Sequence, residues 1–98
     1  MLINIIKSYR SIVAICDAEL LGKRFEEDLF QLDVKESFFK GEQVSEEQAI
    51  EIMQDMKKED ATFNIIGDKS VEAAIKAKVI KDYNVGEIAG IKFALVLL

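Results

Sequence analysis

Ninety-eight residues carry 13 basic and 18 acidic side chains, a formal charge of −5, with half of the residues apolar and 32% charged. That is one domain's worth of globular chain rather than a disordered one. It has no uncharged apolar run of about 18 residues to span a membrane. The single cysteine cannot form an internal disulfide, and the absence of histidine removes the usual zinc sets and the commonest general base.

Residues 2–7 (LINIIK) and 11–17 (SIVAICD) are runs rich in β-branched side chains, joined by Ser8-Tyr9-Arg10. They predict an antiparallel hairpin with a three- to five-residue loop, since no Asn-Gly or Asp-Gly pair is present. Both parities are apolar in mid-run, so these strands are expected to be covered on both faces. Asn4, Lys7 and Arg10 interrupt the isoleucine-rich start and no small-residue cleavage site follows. A secretory signal is therefore not expected, and the chain reads as cytoplasmic.

Residues 17–27 (DAELLGKRFEE) read as a charged loop around Gly22 with at most one helical turn, and a short strand is expected over 29–34. Residues 37–41 (SFFKG) read as a turn whose two phenylalanines cap the core edge. Residues 45–58 carry the clearest helix: Ser45 with Gln48 fits a capping box, and Ala49, Ile52, Met53 and Met56 follow the apolar stripe. Residues 61–66 (ATFNII) fit strand or helix equally. A second helix is expected from Asp68 or Ser70 to Lys78, with Val71, Ala74, Ile75 and Val79 on one face. Residues 91–98 (IKFALVLL) predict a strand, either central or an edge that pairs with another chain as a homodimer. The order, three strands, two helices and a strand, predicts a single α+β domain of two layers. The N-terminal hairpin plus two further strands form a mixed sheet with both helices on one face.

The chemistry-bearing residues are few. Gly67-Asp68-Lys69-Ser70 lacks the spacing of a phosphate loop, and Asp68 would put negative charge where phosphate must sit, so the segment reads as a helix start. Cys16 sits in an apolar run with Asp17 beside it and reads as a buried, inert thiol. Asp17, Glu19, Glu26, Glu27 and Asp28 form an acidic cluster that matches no calcium loop. Lys69, Lys76, Lys78 and Lys81 group around the second helix, and Lys7 and Arg10 mark the hairpin tip. With an acidic balance and no interleaved aromatics, this basic group reads as a solvated helix face, and nonspecific nucleic-acid binding is not expected. No metal, cofactor or catalytic residue is assigned.

The blocks Cys16-Asp17-Ala18-Glu19-Leu20-Leu21-Gly22-Lys23, Phe38-Phe39-Lys40-Gly41 and 64–75 (NIIGDKSVEAAI), together with Ile88-Ala89-Gly90-Ile91, have a known pattern. The chain resembles the small archaeal family called domain of unknown function 424 over nearly its whole length. The resemblance implies a one-domain α+β fold and a gene context in translation and ribosome maturation; it implies no activity. Where that family tends to show a proline and then a histidine, alanine and glutamine near the end, this sequence has Lys92, Phe93, Ala94 and Leu95.

The functional expectation is a non-catalytic interaction module serving a protein or ribonucleoprotein partner. Its candidate binding residues are Asp17, Glu19, Gly22 and Lys23, with Asn64 and Gly67 facing that loop. The same residues could instead only shape turns: Asp17 as a local cap, Gly22 for positive φ, Asn64 bonding backbone. The alternative function is a small-molecule or metal-dependent enzyme using the acidic loop 17–23.

Overall fold

The structure is a computed structural model that describes residues 1–97. Strand β1 (Leu2–Ile6) pairs antiparallel with β2 (Ile12–Cys16), and the loop between the paired Ile6 and Ile12 is residues 7–11, as the missing tight-turn signal requires. A 310 turn (Ala18–Leu20) follows. It leads into a ribbon the sequence reading only half anticipated, β3 (Arg24–Glu27) antiparallel to β4 (Phe30–Asp33), turning at Asp28 and Leu29 with Asp28 at φ +54°. The aromatic turn is one turn of helix, α1 (Glu36–Phe39), whose Phe38 and Phe39 rings meet edge to face. Strand β5 (Glu42–Gln43) is a short addition to the outer side of β1.

Helix α2 (Glu46–Lys58) starts as its sequence dictates. Ser45 Oγ accepts from Gln48 N–H and the Gln48 side chain accepts from Ser45 N–H, so two N-terminal donors are satisfied reciprocally. The ambiguous segment is a strand, β6 (Thr62–Ile66), paired parallel to β2 with Phe63 and Ile65 buried against the helices and Thr62 and Asn64 half-buried on the other face. Helix α3 (Asp68–Lys76), a 310 turn (Asp82–Asn84), and the hairpin of β7 (Gly86–Ile88) and β8 (Ile91–Val96) complete the chain. The expected final strand thus ends at Val96; Leu98 lies outside the described residues.

The main sheet is mixed and six-stranded, in the order β5-β1-β2-β6-β8-β7. Both longer helices lie on one face, where Ile3, Val13, Ile15, Phe63, Ile65 and Ala94 pack against Ala49, Met53 and Met56 of α2 and Val71 and Ala74 of α3. The α+β architecture with helices on one face is as read from the sequence. Two features enlarge it. The sheet gains β5 and β7 as short flanking strands, and β6 takes the place expected for the 29–34 strand, which lies instead in the separate β3–β4 ribbon because it pairs with the adjacent β3. The second face also carries a partial third layer, in which Leu20, Leu32, Val34 and Phe39 cover Ala14, Cys16, Ile66 and Ile88. That cover explains why the first two strands are apolar on both parities. Lys76 Nζ bridges Glu46 at 3.0 Å and Glu72 at 3.2 Å across the solvent side of the two helices.

Candidate functional site

Asp17 ends β2 and its carboxylate is buried, with 4% of the residue exposed. Oδ2 accepts from Lys69 N–H at 3.1 Å, and Oδ1 accepts from Ser70 N–H and from Ser70 Oγ, both at 2.8 Å. These amides open α3, so Asp17 caps that helix from 52 and 53 residues away and sets its negative charge at the positive end of the helix dipole. The local N-cap position is Gly67, which has no side chain to offer and holds φ +112°, ψ 153°. A Cβ there would fall inside the Asp17 carboxylate. Asp17 and Gly67 are therefore one device: the glycine vacates the space that the carboxylate fills. Asp17 is a cap, though not the local one that turn chemistry suggests.

The rest of the loop is fixed by backbone. Gly22, at φ +81°, donates to Val34 C=O at 2.8 Å, and the Lys23 carbonyl accepts from Val34 N–H at 2.9 Å. This ties the loop to the end of the ribbon. The side chains of Glu19 and Lys23 are left in solvent. Asn64 lies elsewhere: it sits on β6 in register with Ala14 and Leu95, on the ribbon-side face of the sheet. The expected grouping therefore divides, Gly67 meeting Asp17 and Asn64 belonging to a different surface.

Cys16 is fully buried, and burial first, then the neighbouring Asp17 charge, pushes its thiol up to about 11. Glu27 Oε1 accepts from Ala89 N–H at 2.8 Å, which ties the ribbon to the β7–β8 turn, and Glu26 pairs with Arg24 along the same strand at 3.4 Å. Among the described residues no group of three or more Cys, Asp and Glu converges as a metal site. The principal cavities lie along α3 and beside β1, lined by residues other than Asp17, Glu19 and Lys23.

A surface the sequence reading missed lies at the hairpin-tip end of the sheet. Strand β5 pairs only with Leu2 and Ile3, and β7 pairs only with residues 91–93. Residues 4–6 of β1 and 94–96 of β8 consequently have a strand neighbour on one side only. At the same end the ribbon-side face presents half-buried Ile6, Ile12, Thr62 and Asn64 beside Leu95, which is 55% exposed. Leu97 next to it is 72% exposed. No residue-level motif marks this surface, because it arises from the unequal lengths of neighbouring strands.

The model of a family described as "Protein of unknown function (DUF424)" matches residues 6–98. The chain belongs to this family. In this DUF424 member the two most specific blocks of the sequence resemblance, 16–23 and 64–75, meet at the Asp17–Ser70 cap. A crystal structure of an uncharacterized conserved protein from Methanopyrus kandleri has the same fold, with a TM-score of 0.87 at 21% identity over 97% of this chain and 88% of that one. No curated protein matches this DUF424 sequence. Among the described residues no helix is long and apolar enough to cross a membrane.

Proposed function

We propose that this DUF424 protein is a non-catalytic interaction module that takes up an extended segment of a protein or ribonucleoprotein partner at the hairpin-tip end of its sheet. The observation that carries this reading is that β8 runs past its outer neighbour and exposes Leu95 beside the one-sided edge. A strand side without a partner leaves backbone N–H and C=O groups for an added strand, which supplies affinity through main-chain hydrogen bonds. Ile6, Ile12 and Leu95 offer apolar contact, and Thr62 and Asn64 offer polar groups that fix orientation. The gene context implied by the family resemblance, translation and ribosome maturation, supports a partner from that machinery. Glu19 and Lys23 are the loop side chains free to add polar contacts.

The test is co-purification from native lysate at moderate salt, comparing the wild-type chain with Leu95→Lys and with the pair Glu19→Ala, Lys23→Ala. Loss of specific partners with Leu95→Lys is expected. Identical partner sets for wild type and Leu95→Lys overturn the reading. The same one-sided edge favours a second reading, self-pairing of β8 as a homodimer. Sedimentation equilibrium distinguishes it: a dimer that Leu95→Lys converts to monomer makes the second copy the partner.

A further inference from the structure

Three cavities run along the outer side of α3, and Ile75 and Asp82 line all of them. The largest, about 510 Å3, lies between the end of α3 and the turn Asp82–Asn84. We propose that this groove binds a nucleotide unit, with its base stacked on Tyr83 and its phosphate held by Lys78 and Lys81. The inference is independent of the β8 edge.

The floor of the groove is apolar and formed by Ile75 and buried Ile80, which suits the face of a flat ring. Tyr83 stands at its rim 80% exposed, an aromatic ring that the core does not use. A nucleobase stacks on such a ring regardless of its identity. Lys81 Nζ stands 5.9 Å from the Tyr83 ring centre, and Lys78 lines the same groove. Lys57 adds a third ammonium at this end of α3, donating to the Lys78 carbonyl at 2.7 Å. The lining itself carries two lysines and one carboxylate, Asp82, a cationic balance in a chain of net charge −5. Lys76 differs because Glu46 and Glu72 already engage it.

The backbone holds these groups in place. Lys81 N–H donates to Asn84 Oδ1 at 2.8 Å and Asn84 N–H donates to the Lys81 carbonyl at 2.9 Å, which closes the turn carrying Tyr83. Lys78 sits at φ +62°, where glycine is the ordinary residue after a helix end and a lysine costs energy. The sequence reading found no aromatic among these lysines; the fold supplies one by turning Tyr83 back beside Lys81. With two lysines in its lining the site holds one base by stacking together with its adjoining phosphate.

The test is an NMR titration of the isotopically labelled chain with adenosine monophosphate, hexaadenylate RNA, inorganic phosphate and an acidic phenylalanine-containing peptide. Saturable shifts confined to residues 75–84 are expected with nucleotide. Equal affinity for the mononucleotide and the hexamer identifies a free nucleotide as the ligand, and a clear preference for the hexamer identifies a single strand. Tyr83→Ala should weaken binding about ten-fold or more, whereas Tyr9→Ala, at the more exposed second tyrosine, should not. Lys78→Gln with Lys81→Gln should weaken binding several-fold and flatten a salt slope of about −1 to −2 in log K against log salt. If neither nucleotide shifts these residues, if the peptide or phosphate alone saturates them, or if Tyr83→Ala binds like wild type, the proposal is overturned. Should Tyr83→Ala not fold, the lysine pair decides by the same criteria.

Discussion

The carboxylate of Asp17 occupies the space that a side chain at residue 67 would need, and in return supplies the cap that Gly67 cannot. The end of β2, the end of β6 and the start of α3 are thereby fixed at one point, where Asp17 N–H also donates to Ile66 C=O at 3.1 Å.

Gly67→Ala tests this arrangement directly. The substitution imposes a Cβ at φ +112° and displaces the carboxylate. Backbone strain of ~1–3 kcal/mol and loss of the cap at ~1 kcal/mol together give about 2–4 kcal/mol of destabilisation. Thermal unfolding should show a Tm lower by roughly 10 °C or more. A loss below ~0.5 kcal/mol, the range of ordinary surface changes, would refute the shared-space account.

The cap also predicts coupling. Asp17→Ala removes charge-assisted bonds and should cost about 2–3 kcal/mol in urea unfolding. Ser70→Ala, which removes the hydroxyl bond alone, should cost about 1 kcal/mol. Because the two side chains share that bond, the double variant should cost less than the sum of the singles by roughly 1 kcal/mol. Strict additivity would mean that the two groups do not interact in solution.

Cys16 provides a pH prediction. Its thiol is raised from 9.0 to about 11 in the folded protein, so between these values the unfolded chain releases a proton that the folded chain keeps. Stability from this group is intact below pH 9 and falls as pH rises from 9 toward 11, by at most ~1.4 kcal/mol per pH unit. Cys16→Ala should be less stable at pH 7 yet show a shallower decline over that window. A thiol reagent at pH 8 should react only as fast as the chain opens. Parallel pH profiles for the two proteins would remove the thiol as the cause.

Leu95→Lys separates surface from core. With more than half of its area in solvent, Leu95 should tolerate the change within ~0.5 kcal/mol, measured by urea unfolding. A loss of 2 kcal/mol or more, typical of buried leucines, would place the residue in the core and disqualify it as a contact surface.

The legible parts of the fold were those encoded locally. Ser45 and Gln48 with the Met53–Met56 stripe specify α2 within a dozen residues, and the paired isoleucine runs specify the first hairpin. Strand β3 escaped because Arg24-Phe25-Glu26-Glu27 has no apolar alternation; its pairing depends on the turn at Asp28 and on the sheet beneath it. Strand β7 is three residues long and was signalled only by Ala89-Gly90, both at positive φ, the requirement of a tight two-residue hairpin turn. Asp17 was legible as a chemical group but not in its role, since its partners lie 52 and 53 residues further along the chain. The apolar run 91–98 offered an edge as one of two readings, but which of its residues are exposed was not legible, because that depends on where β7 stops.

Strand β8 is synthesised after every other member of the sheet, yet it stands between β6 and β7 rather than at the margin. A growing polypeptide therefore carries β6 with an unpaired edge of backbone N–H and C=O groups until β8 arrives to close it. Any chain interrupted before Ile91 therefore presents an unpaired β6 edge that invites chaperones or aggregation.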